Sequence, residues 1–595
     1  MQGQPFVRNG KTLLSGIDPV RRAERTADAV SVSDRTLYFC PSVLFGYGLA
    51  RLLSRLEASA PNSAVLCIEA DPQLYELTLQ NIDPALAVNK KLRITNLPAT
   101  ASADSSAADA LLANAPLANA ARLAAIVSEA WGTRAFRRIE TIRFTGGYQL
   151  FPELYDSLCE ALRRQIASDW SNALTLAKLG RLFIRNALRN ISLVSVFPSV
   201  SELSFGDCPV LVLGAGPSLD DTLDSIVNSQ LSLNSKRKEK IPFKPEDRPF
   251  KIVCVDTCLG ALKDRGITPD LAVILESQHW NLRDFIGCRD WKANAAVDIS
   301  ALPLSAQILG GKGCLFFTPW TSLRIFERLK DAGLLPAAVE PLGSVGLTAV
   351  EIARCLTGGK IICSGLDFSF TADSYHARGT PGHRSKLNAH TRLRSLANTA
   401  AYSETAFAAV SKTGVRVYAN PVMRNYRDLF EQEFGSDRRI FDIEGCGLSL
   451  GIKTLSMKEA MEALNVNTEE FPQRRKGAKT AEGKEINSID DFFSCSPRHG
   501  GKNFALDAFY KSEKNRLIEL RDILCGEAEM NNKRLNELID ECDYLWAHFP
   551  DRAGDFAAGS AAGRRPEIDL QTDISFLKRV RIEIDSMLEL ISHFV

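Results

Sequence analysis

The sequence predicts a multi-domain α/β protein with a Rossmann-like N-terminal domain, a doubly wound central domain and a helical C-terminal domain. Three observations predict it. An apolar run, a Gly-x-Gly turn and a helical pattern lead into a second apolar run between Thr36 and Ile82, the order of a βαβ unit. From Pro209 to Ile362 short apolar runs again alternate with helical stretches, over a longer span. Past about Leu455 such runs stop, and two long helical stretches take over. At 595 residues the chain has room for roughly three or four domains. The boundaries fall at 1–150 (Rossmann-like), 151–204 (helical connector), 205–455 (doubly wound central domain) and 456–595 (linker and helical domain).

Composition narrows the functional classes. Lys plus Arg is 72 against 71 for Asp plus Glu, so a net charge of +1 gives no electrostatic case for a nucleic-acid partner. No window approaches the ~18 uninterrupted apolar residues of a membrane span, and the N-terminus has no basic region followed by an apolar core. The expectation is a cytoplasmic protein with neither nucleic-acid binding nor membrane insertion. Its 14 cysteines sit in apolar runs without a CxxC pair, as buried thiols do.

In the first domain, "TLYFCPSVLFGYGLARLL" sets Gly46 and Gly48 after a strand, and "AVLCIEA" ends a second strand at Glu69. Glu69 stands about 20 residues beyond the glycines, where an acid binds a ribose hydroxyl. Arg51 replaces the third glycine, which favours a Rossmann-like scaffold without a working cofactor site. The span from Glu153 to about Leu193 has apolar residues at helical spacing and no Gly or Pro before Gly180, so it reads as a helical connector.

The central domain carries the chemistry. "VLVLGAGPSLDDTLDSI" runs a buried strand into Gly214, Gly216, Pro217 and Ser218, then a helix. Ser218 and Asp221 have capping-box form. Such a turn suits phosphate, and the same features also start any well-made helix. Strand-like runs end at Asp256, Glu276 and Asp367, where carboxylates hold Mg²⁺, accept from ribose hydroxyls or serve as polar caps. Asp270 reads as structural. Mg²⁺ on Asp256 and Glu276 is the one metal reading offered; no cofactor is fixed.

Three of the seven histidines lie in "DSYHARGTPGHRSKLNAHT": His376, His383 and His390. Gly379, Pro381 and Gly382 break any common helix face, against a zinc site. His383 precedes a helical pattern, and near a helix N-terminus the dipole keeps an imidazole neutral and able to accept a proton.

In order, "VLGAGPSLD", "VDTCLGALKDRGITPDLAVILES", "SVGLTAVEIARCLTGGKIICSGLDFSF" and "VYANPVMRNY" resemble the motility-associated-factor (Maf) flagellin glycosyltransferases and their hydroxymethylpterin diphosphokinase-like relatives. The order is similar, more distantly, to that of bacterial sialyltransferases using CMP-sialic acid, so the resemblance implies a sialyltransferase-like central domain. It covers about Thr36 to Leu455. It implies that Gly214, Gly216, Pro217 and Ser218 form a nucleotide-binding turn, with Ser344 and Asp367 completing the nucleotide-sugar set. Asp256 and Glu276 fall where the sialyltransferases have asparagines. Tyr375 matches a tyrosine donating to the leaving phosphate, its partner tyrosine being replaced by Ser369. His383 matches the general base, with His376 the fallback.

The resemblance implies an inverting transfer of a nonulosonic acid from a CMP donor to Ser or Thr of flagellin. Two alternatives stand beside it: a Mg-dependent diphosphotransferase acting on a pterin-like alcohol, and a non-enzymatic flagellin-binding assembly factor. The absence of a Gly-x-x-x-x-Gly-Lys-Ser/Thr loop weighs against ATP.

Overall fold

The computed structural model describes residues 5–97, 119, 122–132, 135–233, 244–393, 398–464, 478–479, 485–486, 500–526, 532–552 and 573–594. The chain forms two compact units, one from the described residues of 1–180 and 546–568, the other from those of 181–545 and 569–595.

In the first unit, β1 (Phe6–Arg8) and β2 (Lys11–Leu14) form a hairpin. The strands β3 (Thr36–Pro41), β4 (Ala64–Glu69), β5 (Leu92–Asn96) and β6 (Arg138–Thr141) form a parallel sheet in the order β5-β4-β3-β6. Every residue of β3 and β4 is buried. Alternation along β3 sends Tyr38 and Cys40 into one apolar cluster with Leu49, Leu52 and Leu56, and Leu37 and Phe39 into another with Tyr155, Leu158 and Leu162. Both faces are therefore covered, which is why these strands read as unbroken apolar runs. Each fully buried leucine contributes roughly 1.5–3 kcal/mol.

The residues that mark a dinucleotide site here are engaged by the protein itself. A Cβ on Gly48 (φ +82°) would lie 2.8 Å from the Ala23 carbonyl and from the Phe144 ring. Glu69 accepts from the Asp71 N–H and the Tyr155 hydroxyl, each at 3.3 Å, and burial holds its carboxyl above the ordinary range.

The second unit is built on an eight-stranded parallel sheet: β7 (Val210–Leu213), β8 (Lys251–Val255), β9 (Leu271–Ile274), β10 (Ala293–Asp298), β11 (Gly310–Phe316), β12 (Ile361–Ser364), β15 (Ile440–Ile443) and β16 (Thr454–Leu455). The spatial order is β11-β10-β9-β8-β7-β12-β15-β16. The intervening β13 (Phe407–Val410) and β14 (Arg416–Ala419) pair as a separate hairpin. From β7 the chain steps outward to β11 and returns to the other side of β7 as β12. Strand order thus reverses between β7 and β12, and crevices outside the carboxyl ends at such reversals bind ligands.

The helix Pro152–Asn190 enters this unit with its last turns. Asn186 and Asn190, one turn apart and so on one face, donate from Nδ2 to the carbonyls of Ser277 and Ser300, and of Ile299 and Ala301. The loops after β9 and β10 are fixed this way. The helices Gly500–Cys525, Asn532–Glu541 and Ile574–Ile591 also pack in this unit. Glu513, fully buried, receives Arg328 through two bonds of 2.7 and 2.9 Å. No helix among the described residues is long and apolar enough to cross a membrane.

Candidate functional site

The turn after β7 is filled from within. Gly214 N–H donates to the Ser364 carbonyl and Gly216 N–H to that of Gly365, both at 2.8 Å. Ser218 donates from N to Asp367 Oδ2 (2.8 Å) and from Oγ to Oδ1 (2.5 Å). A Cβ on Gly214 would stand 2.4 Å from the Gly365 carbonyl, and one on Gly216 2.4 Å from Asp367 Oδ2. The glycines therefore admit the β12 loop. Three backbone N–H groups of the turn and the Ser218 hydroxyl are thus used internally, and Pro217 has no N–H. This corrects the capping box, since Ser218 serves Asp367 instead of Asp221. Burial raises the Asp367 carboxyl, while the Ser218 bonds oppose that shift. Asp367 thus places an internal carboxyl group at the start of the helix Leu219–Leu233.

The loop Thr371–His390, after β12, is strapped to neighbouring elements. Ala377 N–H donates to the Ala215 carbonyl at 3.0 Å. Arg378 donates its N–H to both Asp220 oxygens (3.2 and 3.1 Å), and its guanidinium reaches Asp220 and Asp224. Arg265 bridges the same two carboxylates at 2.7 and 3.0 Å. Asp220 is neutralised by these arginines. A Cβ on Gly260 would meet the Gly379 carbonyl at 2.5 Å, so the strap lies directly on the helix Leu259–Asp264.

This strap carries the three candidate catalytic side chains. Tyr375 stacks on Phe370 (4.8 Å, 25°); burial raises its phenol, with a bond to Asn420 acting the other way. The His376 ring lies edge-on to Tyr375 at 4.7 Å. Burial, then the charges of Lys386 and Arg283, push its pKa down to about 4. His383 lies in the first turn of the helix Pro381–Ala389, capped by Thr380. Its pKa is lowered, by burial first. The Gly379 N–H points at His383 Nδ1 (3.3 Å), which leaves the proton of the neutral ring on Nε2.

Across the strand ends lies an acid cluster only partly foreseen. Asp256, buried at the end of β8, accepts from Thr257 N–H (2.8 Å) through Oδ1 and from Asn281 Nδ2 (2.7 Å) through Oδ2. The same Nδ2 lies 3.3 Å from Asp284. Burial and then the charge of Asp256 raise the Asp284 carboxyl to about 7. Asp256 is raised as well, by burial first and with Glu276 among the further causes. Glu276 itself is exposed and accepts from Gln278 N–H (2.8 Å). These residues do not fit a Mg²⁺: both Asp256 oxygens are bonded, and among the described residues no group of three or more His, Cys, Asp or Glu side chains could hold a metal.

Ser344 is the residue before the helix Val345–Leu356, its hydroxyl making no capping bond. Ser369 bonds the Cys446 carbonyl at 3.2 Å. Sequence reading missed Asn281, Arg283, Asp284 and Lys386. The available signal for the first three was the polar run "HWNLRD", His279–Asp284, in the segment after β9.

Residues 183–373 match the family model described as "MptE-like: 6-hydroxymethylpterin diphosphokinase MptE-like". This span holds β7 to β12 and ends before His376. The chain is 28% identical over 583 residues to an uncharacterized protein of Treponema pallidum (strain Nichols), covering 96% of this chain and 90% of the relative. Among solved structures, a Maf glycosyltransferase from Magnetospirillum magneticum AMB-1 aligns at a TM-score of 0.48 and 14% identity, over 100% of this chain and 84% of that one. That likeness is too distant to carry a functional argument.

Proposed function

We propose that the chain is an inverting glycosyltransferase moving a nonulosonic acid from a CMP donor to Ser or Thr hydroxyls of flagellin, in support of flagellar assembly and motility. The observation that carries this reading is the company at the strand-order reversal. An acid with a pKa of about 7, Asp284, and a neutral imidazole, His376, share one cation, Arg283, that acts on both. Groups with perturbed pKa values gather where ligands and protons are handled. The ordered Maf-like motifs support the choice of reaction.

In the transfer, the acceptor oxygen forms the bond to the anomeric carbon as the bond from that carbon to the phosphate oxygen breaks. The electron pair leaves with CMP. His383 takes the acceptor proton on Nδ1, once the long Gly379 bond gives way to the acceptor hydroxyl. Arg283 and Lys386 face the developing phosphate charge, assisted by the Tyr375 hydroxyl. This assigns to two cations the task that the sequence gave to the glycine turn or to Mg²⁺. CMP release in the presence of EDTA tests it: the rate is unchanged, and Arg283→Ala lowers it by about 10²-fold. Loss of activity in EDTA, restored by Mg²⁺, contradicts it.

The family description favours a second reading, a diphosphotransferase acting on a pterin-like alcohol. Incubation with ATP and hydroxymethylpterin separates the two. Formation of AMP and a pterin diphosphate selects the second reading; inertness towards ATP, with turnover of the CMP sugar, selects the first.

A further inference from the structure

The first unit holds a cavity of about 400 Å³ that no motif marks, at the amino ends of its strands. Arg35 precedes β3, Asn62 leads into β4, and Lys90 and Lys91 precede β5; Trp131 and Phe136 complete the wall. The carboxyl ends of the same strands, where a dinucleotide would lie, are occupied by the chain's own contacts to Gly48 and Glu69.

Three cations line the cavity, and among the described residues no Asp or Glu does. Lys91 is held by the carbonyls of Pro61 and Ser63, which leave its charge uncancelled. The nearby Asp34 is engaged by Asn62, accepting from its N–H (2.9 Å) and its Nδ2 (3.0 Å). The Trp131 indole is held in place: its N–H donates to the Lys90 carbonyl (2.8 Å), and it meets Phe136 edge-to-face at 5.5 Å. A fixed aromatic wall beside three cations, against which stands the nearby carboxylate of Asp34 that Arg35 also acts on, suits a planar ring joined to an anion. The volume lies within the roughly 300–1,000 Å³ of small-ligand sites.

We propose that this cavity binds a mononucleotide, its phosphate between Arg35 and Lys90 and its base against Trp131. The site lies in the first unit and does not depend on the transferase reading. Photolabelling of the full chain with 8-azido-AMP, followed by peptide mass mapping, tests it. The label is expected on peptides carrying Lys90–Lys91 or Trp131, to be blocked by AMP, and to fall at least tenfold in Lys90→Glu, an exposed change that leaves the fold intact. Label confined to residues 181–545, or unchanged in Lys90→Glu, overturns the proposal. So does protection by inorganic phosphate or polyglutamate equal to that by AMP, which assigns a plain anion site or an acidic-peptide site instead.

Discussion

Asp367 decides what the Gly214–Ser218 turn is for. Removing its carboxylate in Asp367→Ala strands the buried Ser218 N–H and hydroxyl, at roughly 1–3 kcal/mol for each unsatisfied group. Gly216→Ala drives a methyl to 2.4 Å from the same carboxylate, and overpacking of this kind costs about 1–3 kcal/mol. Urea unfolding of both variants is expected to show losses in these ranges; a neutral Gly216→Ala would contradict the packing role. The partnership was invisible in sequence because Ser218 and Asp367 lie 149 residues apart and local spacing reports only neighbours. The strand, the turn and the helix start were legible, since those are local. His376 gives a second test at this scale. Its folded pKa of about 4 lies below the ordinary 6.5, so the unfolded chain takes up the proton first. The fold keeps this contribution above pH 6.5 and loses it as pH falls through about 4. A histidine resonance titrating near 4, absent in His376→Gln, is expected by NMR; titration near 6.5 would place the ring in open solvent.

The strap from Thr371 to His390 is the element that brings Tyr375, His376 and His383 together, and it is tied down mainly by Asp220, Asp224, Arg265 and Arg378. Arg378 is largely exposed, so solvent screens its pairs and each adds little to stability. The consequence of Arg378→Ala is therefore local: faster hydrogen exchange at the Ala377 and Gly379 amides with a loss in urea unfolding free energy below about 1 kcal/mol. Unchanged exchange would mean that the strap is held by other contacts. At this scale sequence reading located β7, β8, β9 and β12 but passed over β10, Ala293–Asp298, because "ANAAVD" is alanine-rich and lacks the β-branched run of its neighbours. Burial between β9 and β11 makes it a strand. The acid cluster escaped for a related reason. Asp256 was visible at a strand end, whereas Asn281 and Asp284 lie in a short 3₁₀ turn whose partner is set by the fold.

For the whole molecule, two units with separate cores predict two unfolding transitions by calorimetry. The C-terminal helices belong to the core of the second unit, where Glu513 is enclosed by Arg328, Arg516 and Tyr544. Glu513→Ala leaves Arg328 without its buried partner, so about 3–5 kcal/mol is lost and only the transition of the second unit moves. A single transition displaced as a whole would show that the units unfold together. The sequence made the helical character of this region legible, but not its burial against the sheet unit, which depends on partners nearly 200 residues away. The sheet, its strand-order reversal and the strap above it together support the transfer chemistry, and the intact mass of flagellin tests that most directly. Unmodified flagellin incubated with the full chain and a CMP-nonulosonic acid is expected to gain mass in sugar-sized steps with release of CMP, and His383→Ala to give none. Flagellin of unchanged mass beside an intact donor would contradict the account, as would full modification by His383→Ala.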